Sequence, residues 1–215
     1  MIATSRQPEK AEQLRELAAA HNVSDSILIT ALDVTDEQSI ISFGKAISAY
    51  APIDLLVNNA GTAYGGFIED VPMEHFRQQF ETNVFGVIHV TKTVLPYIRK
   101  HGGAKIINVS SISGLTGFPA LSPYVASKHA LEGFSESLRI ELLPFGIETA
   151  LIEPGSYKTS IWSTSLSILC RCLLTIQPII NTIKRSFHTL KKTEKKAEIP
   201  KRLPTSFINW QQQSI

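Results

Sequence analysis

Cysteine is nearly absent from this sequence. Only Cys170 and Cys172 occur among 215 residues, two positions apart and with no other cysteine to pair with. Neither a disulfide framework nor a four-ligand zinc site can therefore be built from cysteine alone, and no metal site is predicted. This composition favours a protein of a reducing compartment, and we expect a cytoplasmic location.

Long hydrophobic runs and a strong net charge are also missing. No run of about 18 apolar residues could span a membrane, and the first residues, MIATSRQPEK, lack the apolar core of a secretory signal. The formal net charge is +2, which argues against nucleic acid as a partner. The charge is unevenly spread, however, because residues 1–160 carry 12 Lys/Arg and 17 Asp/Glu, whereas residues 161–215 carry 9 and 2.

Residues 1–155 alternate short β-branched runs with longer amphipathic stretches. This pattern predicts an α/β fold in which helices cover both faces of a parallel sheet. Thr35 is the predicted N-cap of the second helix. The predicted strands are 2–5, 26–32, 53–57, 105–110 and 147–152, and the predicted helices are 8–21, 35–50, 72–100 and 123–142.

The segment Y-V-A-S-K places Tyr124 and Lys128 four residues apart in a predicted helix. Side chains at this spacing lie on one face, so both can act on one substrate atom. An ammonium close to a phenol favours the phenolate, and Lys128 is therefore expected to lower the pKa of Tyr124. Taken alone, the pair could equally be an ordinary surface Tyr/Lys pair.

Other polar residues follow the predicted strands. Ser111 ends the strand K-I-I-N-V-S-S, where its hydroxyl can hold a carbonyl oxygen or simply cap a turn. The segment N-N-A-G at 58–61 ends another strand and allows close approach of a ligand, although it could also be a turn. Asn83 lies in an apolar helical stretch where asparagine is a poor helix former, so a kink or a polar role is expected.

These motifs, in this order, resemble the short-chain dehydrogenase/reductase family over residues 1–160. The resemblance implies a Rossmann-like, doubly wound parallel sheet in a single domain. It implies that Tyr124 is the general acid/base, that Lys128 binds the nicotinamide ribose and lowers the Tyr124 pKa, and that Ser111 orients the substrate oxygen. Asn83 would anchor a water molecule of a proton relay.

The resemblance also implies a set of cofactor contacts, to which Tyr124 and Lys128 belong. Asp33 and Val34 would face the adenine. Asn59, Ala60 and Gly61 would lie beside the adenine ribose. Pro154, Gly155 and Thr159 would face the nicotinamide amide.

Cofactor choice is predicted from the end of the first strand. There an uncharged Ser5 leaves room for a ribose 2′-phosphate, and Arg6 can clamp it with charge-assisted hydrogen bonds. NADP(H) is therefore favoured over NAD(H), unless Arg6 is only a solvated side chain.

Two departures from the family pattern are evident. Family members begin with a strand and a turn T-G-x-x-x-G-x-G that holds the pyrophosphate, whereas the first glycine here is Gly44. The sequence is thus expected to be an N-terminally truncated member that lacks a central strand. Residues 161–215 contain no glycine and form a divergent basic tail, interpreted as frameshifted sequence or, less favoured, an interfacial amphipathic helix.

The predicted function is hydride transfer between NADP(H) and a small-molecule carbonyl or alcohol. The alternative is a non-catalytic fragment or interaction protein that has lost dinucleotide binding. The resemblance further implies a homo-oligomer in the intact family member.

Overall fold

The computed structural model describes residues 1–99, 103–155 and 161, which form alternating strands and helices. Thr159 and the tail, apart from Ile161, lie outside these residues. In chain order the elements are β1 (Ile2–Ser5), α1 (Glu12–Ala20), β2 (Leu28–Ala31), α2 (Glu37–Ile47), β3 (Leu55–Asn58), α3 (Met73–Phe80), α4 (Gly86–Ile98), β4 (Lys105–Val109), α5 (Ser122–Leu142) and β5 (Glu148–Ile152).

The five strands are all parallel, as predicted, but they form two separate sheets. Strands β1 and β2 pair with Ile2 opposite Leu28. Strands β3, β4 and β5 form the second sheet in that order. Among the described residues no ladder joins β1 to β3, so the sheet is interrupted at the place where the sequence predicts a missing strand. On β3, which is an edge strand of the second sheet, Val57 is 48% exposed, an unusual state for an apolar residue of a parallel strand.

Helices α2 and α4 bring the two sheets around one hydrophobic core. Buried Ile40, Phe43 and Ile47 form one stripe of α2, as the amphipathic spacing predicts, whereas Tyr50, predicted in the same stripe, follows the end of α2 and is 53% exposed. The buried side chains of the stripe belong to the same core cluster as Val94 of α4, and Ile2 of β1 and Leu56 of β3 both pack against it. Burial of apolar side chains therefore holds the two sheets together without a shared ladder.

The start of α2 corrects one prediction. Asp36, not Thr35, is the N-cap, because its carboxylate accepts hydrogen bonds from the backbone N–H groups of Gln38 and Ser39. Thr35 instead donates both its backbone N–H and its hydroxyl to Asp33 Oδ1, at 2.9 and 2.7 Å. The bonds made by Thr35 hold the chain in a tight turn after β2, which delays the helix by one residue.

The predicted helix at 72–100 is interrupted at Asn83, where a kink or a polar role is expected. Residues Glu81–Phe85 form a π-helical turn between α3 and α4, and Asn83 is buried inside it. Immediately afterwards, a Cβ on Gly86 would lie 2.9 Å from the carbonyl oxygen of Val34. Glycine is thus needed at position 86 for α4 to approach the segment after β2.

Among the residues that the structure describes, no helix is both long and apolar enough to cross a membrane.

Candidate active site

The carboxyl ends of β3, β4 and β5 border a cavity of about 920 Å³. In parallel α/β sheets this edge is where ligands bind, because the loops after the strands diverge there. Seven of the predicted site residues line the cavity, namely Asn59, Gly61, Ser111, Tyr124, Lys128, Pro154 and Gly155.

Tyr124 and Ser111 are joined at the wall of this cavity. Tyr124 is 5% exposed, near the start of α5, and Ser111 is 8% exposed, directly after β4. Burial raises the pKa of the Tyr124 phenol, and a hydrogen bond with the Ser111 hydroxyl opposes that rise. The Ser111 oxygen also accepts a hydrogen bond from the backbone N–H of Ser113, at 3.1 Å, which fixes its position.

Lys128 lies one helical turn beyond Tyr124 and is 4% exposed. Its Nζ donates a hydrogen bond to the carbonyl oxygen of Val109, at 2.7 Å, and lies 5.8 Å from the centre of the Tyr124 ring. Burial lowers the pKa of Lys128 to about 8, and the charge of Glu132 opposes this.

The effect of Lys128 on the pKa of Tyr124 stays a prediction. The helical spacing does bring both side chains to one cavity, as predicted. However, the pKa of Tyr124 is raised, because burial penalises the phenolate more than its hydrogen bond stabilises it. The ammonium of Lys128 is bonded to the backbone of β4 and lies on the same side of the cavity as the Tyr124 ring.

Asn83 lies beside the cavity and makes a complete set of structural bonds. Its Oδ1 accepts from the backbone N–H of Thr62 at 2.9 Å, and its Nδ2 donates to the carbonyl oxygen of Thr62 at 3.0 Å and to Ser127 Oγ at 3.1 Å. Asn83 therefore ties the loop after β3 to helix α5. Its anchoring of a water molecule stays a prediction.

The remaining candidates among the described residues do not line the cavity. Ser5 and Arg6 lie at the carboxyl end of β1, and Asp33 follows β2. Ser5 Oγ accepts a hydrogen bond from the backbone N–H of Gln7, and Arg6 is exposed. The pKa of Asp33 is lowered, chiefly by a backbone hydrogen bond from Thr35. Two further candidates, Val34 and Ala60, are not among the residues that line the cavity.

A buried polar network beneath the cavity was missed by the sequence analysis. Asn58 Nδ2 donates to Thr91 Oγ1 at 3.0 Å and to Asn108 Oδ1 at 2.8 Å, and Asn108 Nδ2 donates to Ser135 Oγ at 2.8 Å. The four side chains connect β3, β4, α4 and α5. An available signal was Asn108 itself, since an asparagine in the middle of the strand K-I-I-N-V needs buried partners.

With this geometry in place, comparison with known proteins identifies the family. The model of the short-chain dehydrogenase family matches residues 1–167. The chain belongs to this family. Among curated short-chain dehydrogenase relatives, the uncharacterized oxidoreductase YusZ of Bacillus subtilis is 97% identical over 167 residues, which are 78% of this chain and 60% of that protein. The 3-ketodihydrosphingosine reductase of Bacteroides thetaiotaomicron is 44% identical over 129 residues, or 60% of this chain and 48% of that protein.

Solved short-chain dehydrogenases share the fold. The structure of ElxO with NADP bound is 31% identical, has a TM-score of 0.69 and is matched over 76% of this chain and 66% of its own. A short-chain dehydrogenase of Burkholderia phymatum in complex with NAD is 25% identical, with a TM-score of 0.69 over 75% of this chain and 58% of its own. The chain thus spans less than two thirds of the length of the two curated relatives described above. The Rossmann-like α/β prediction is confirmed.

Proposed function

We propose that this short-chain dehydrogenase chain carries the acid/base half of an oxidoreductase that interconverts a carbonyl and an alcohol with NADP(H). The observation that carries the proposal is the hydrogen-bonded pair of Ser111 and Tyr124 on the wall of a cavity that Lys128 also lines. A hydroxyl and a phenol held side by side can bind one substrate oxygen together. The pair is built by two different elements, so the fold itself creates it.

In this proposal Tyr124 is the proton donor during carbonyl reduction. Its raised pKa keeps the phenol protonated at neutral pH, as a general acid must be, and burial keeps bulk water from competing for the proton. Ser111 holds the substrate oxygen, because its own oxygen is already fixed by Ser113. Lys128 places a cation at the cavity wall, where it stabilises the phenolate that remains after the proton has left.

The cavity fits the nicotinamide end of a dinucleotide. Among the described residues, none lies within 4 Å of the position of a Cβ on Gly155, at the edge of the cavity, which leaves this backbone open to a flat ligand. Asn59, Gly61, Pro154 and Gly155 would hold this end together with Lys128, and Ala60 and Thr159 are proposed to assist. When bound, the nicotinamide supplies or accepts the hydride.

The phosphate end is proposed to lie at β1 and β2, with Asp33 and Val34 near the adenine. Arg6 is exposed at the end of β1 and free to turn towards a 2′-phosphate, which supports NADP(H). The ElxO structure holds NADP, whereas the Burkholderia phymatum structure holds NAD. The choice therefore depends on Arg6, and NAD(H) is the competing cofactor.

The substrate is proposed to be apolar around its carbonyl group. The cavity wall includes the apolar side chains of Ile112, Phe118 and Leu121, together with the polar side chains of Ser110, Ser113 and Glu153. The Bacteroides thetaiotaomicron relative is named a 3-ketodihydrosphingosine reductase, and its name supports a ketone as the substrate class.

A non-catalytic role is the second candidate. The interruption between β1 and β3 favours it, because the strand that would fill this gap carries the pyrophosphate-binding turn in the family resemblance. Binding of NADPH separates the two candidates, since an interaction protein that has lost its cofactor shows none.

Tyr124→Phe tests the proposed reaction. NADPH oxidation is followed at its absorbance band with a panel of apolar ketones, both for this chain and for a fusion that adds a strand and T-G-x-x-x-G-x-G turn before Met1. The variant should lose at least about 99% of the turnover of its parent, because general acid catalysis contributes roughly 10²–10⁴-fold. NADPH affinity should be unchanged. Turnover above a tenth of the parent value would contradict the role of Tyr124.

Arg6→Ala tests the cofactor. In the same fusion NADPH should bind about 10- to 100-fold more weakly, as expected for the loss of a charge-assisted hydrogen bond, while NADH affinity stays constant. Exposed Arg139 in the last turn of α5 provides a matched control, Arg139→Ala, which removes the same charge far along the chain from β1. Equal losses for both cofactors would show that Arg6 does not contact the 2′-phosphate.

A further inference from the structure

Glu132 is a buried acid for which the proposed mechanism has no use. It lies on α5, one helical turn beyond Lys128, and is 9% exposed. Its Oε1 is buried and has no hydrogen-bond partner among the described residues. A buried carboxylate oxygen without a partner is costly, so its presence requires a compensating role.

The carboxylate of Glu132 lies against the turn that carries Ser111. A Cβ on Gly114 would be 2.8 Å from Glu132 Oε1 and 2.9 Å from both Glu132 Cγ and Ser110 Oγ. The Ser110 hydroxyl is likewise buried without a partner among the described residues. Gly114 thus leaves only enough room for the Glu132 side chain between α5 and the turn at Ile112–Gly114.

We propose that Glu132 is a positioning residue, which keeps Lys128 charged and seats the turn after β4 so that Ser111 faces Tyr124. This inference rests on the proposed function in one respect, namely the catalytic roles proposed there for Lys128, Ser111 and Tyr124. Glu132 follows Lys128 by one turn of α5 and packs against Gly114 of the turn after β4, and both are properties of this chain.

Within the part of the chain that the structure describes, few charged or titratable groups lie near Lys128. Tyr124 and Glu132 belong to the same helix, and Glu153 after β5 lines the same cavity. The segment of β4 and its turn that lines the cavity, from Val109 to Ser113, carries no charge. Of these groups, Glu132 is the one whose charge acts on the pKa of Lys128, and it opposes the lowering caused by burial.

The direction of the effect follows from this balance. Burial alone disfavours the ammonium, so without the carboxylate a larger part of Lys128 is neutral at pH 7 to 8. A neutral amine is a weaker partner for a developing phenolate on Tyr124 than an ammonium is. Glu132 therefore acts on the reaction through Lys128, without touching the reacting atoms.

The test is to titrate Lys128 in the unmodified 215-residue chain and in two variants, by NMR correlation of the lysine Cε and Nζ signals. Lys128→Arg identifies the signal by its disappearance. In Glu132→Gln, which keeps the shape and removes the charge, the pKa of Lys128 should fall from about 8 to about 7, since a neighbouring opposite charge typically contributes a unit or more. Glu136→Gln, an exposed acid on the same helix, should leave the pKa unchanged.

A purely structural role predicts the opposite pattern. If Glu132→Gln melts like its parent and the pKa of Lys128 moves by less than about 0.3 units, the proposal is wrong. Glu132→Asp keeps the charge, so the pKa of Lys128 should stay close to its value in the parent chain. This variant serves as the test if Glu132→Gln does not fold. None of these measurements needs NADPH or turnover. The inference about Glu132 can therefore be refuted while the Tyr124→Phe result supports the proposed function, and the reverse is also possible.

The seating of the turn is tested by thermal melting. Gly114→Ala should lower the melting temperature, because its Cβ meets the Glu132 side chain. In a Glu132→Ala background, Gly114→Ala should lower the melting temperature by clearly less. Equal losses in both backgrounds would show that Glu132 does not occupy the space above Gly114.

Discussion

The buried asparagine network gives a sharp test of how the site is held together. Asn108 is fully buried in the middle of β4 and bridges Asn58 on β3 to Ser135 on α5. The next residue, Val109, supplies the carbonyl oxygen that binds Lys128. A change at Asn108 should therefore disturb both the stability of the fold and the position of the lysine.

Asn108→Ala removes two side-chain hydrogen bonds, each 2.8 Å long. Each contributes about 1 kcal/mol net, and the small cavity left by the amide adds roughly 1 kcal/mol more. Asn58 keeps its bond to Thr91, and Ser135 still donates to the carbonyl oxygen of Leu131, so neither partner loses all of its bonds. The expected loss in free energy of unfolding is about 2–4 kcal/mol, a large part of the roughly 5–15 kcal/mol typical of a domain.

Urea unfolding followed by circular dichroism measures this loss. Asn59→Ala is the matched control, because Asn59 is the exposed neighbour of Asn58 and should change stability by less than about 0.5 kcal/mol. The double variant Asn58→Ala/Asn108→Ala should lose about 1 kcal/mol less than the two single losses combined, because both single variants remove the same bond. An Asn108→Ala loss no larger than that of Asn59→Ala would refute the network as a stabilising element.

Two further predictions concern pH and packing. The pKa of Lys128, about 8, lies below its ordinary value of 10.5, so between pH 8 and 9.5 the unfolded chain binds more protons than the folded one. The free energy of unfolding should therefore rise with pH in this range, and Lys128→Met should flatten the rise; a parallel slope in both proteins would contradict the lowered pKa. Gly86→Ala should destabilise the chain, because its Cβ would meet Val34 at 2.9 Å, whereas Gly133→Ala, with nothing within 4 Å, should stabilise α5 by about 0.5–1 kcal/mol. Denaturation of both variants decides it, and equal effects would show that helix propensity outweighs packing at position 86.

Local periodicity was sufficient to predict every strand and the main helices. Strand β4, predicted at 105–110, is found at Lys105–Val109, and the helix predicted at 123–142 is found at Ser122–Leu142. Such elements follow from side-chain spacing within a few residues. The N-cap was misassigned because Thr35 and Asp36 are both good caps, and only the turn built on Asp33 decides between them.

Contacts between distant parts of the chain were outside the reach of such reasoning. The bond from Asn83 to Ser127 joins residues 44 positions apart, and that from Asn58 to Asn108 joins residues 50 positions apart. Each asparagine could be recognised as polar in an apolar segment, but its partner could not, because the partner depends on how two elements pack. The structure therefore adds the network beneath the site to the residues that the sequence had already selected.

The pair of Tyr124 and Lys128 shows most clearly where a motif stops being sufficient. A spacing of four residues guarantees that Tyr124 and Lys128 share a helix face, yet it does not determine the charge that either carries. That is decided by burial of both, by the charge of Glu132 on the lysine, and by the hydroxyl of Ser111 on the phenol. A residue of the turn after β4 thus acts on the chemistry of a motif that lies wholly on α5. A chain that keeps Tyr124 and Lys128 but places another side chain at position 111 or 132 would retain the motif and change its acid–base behaviour.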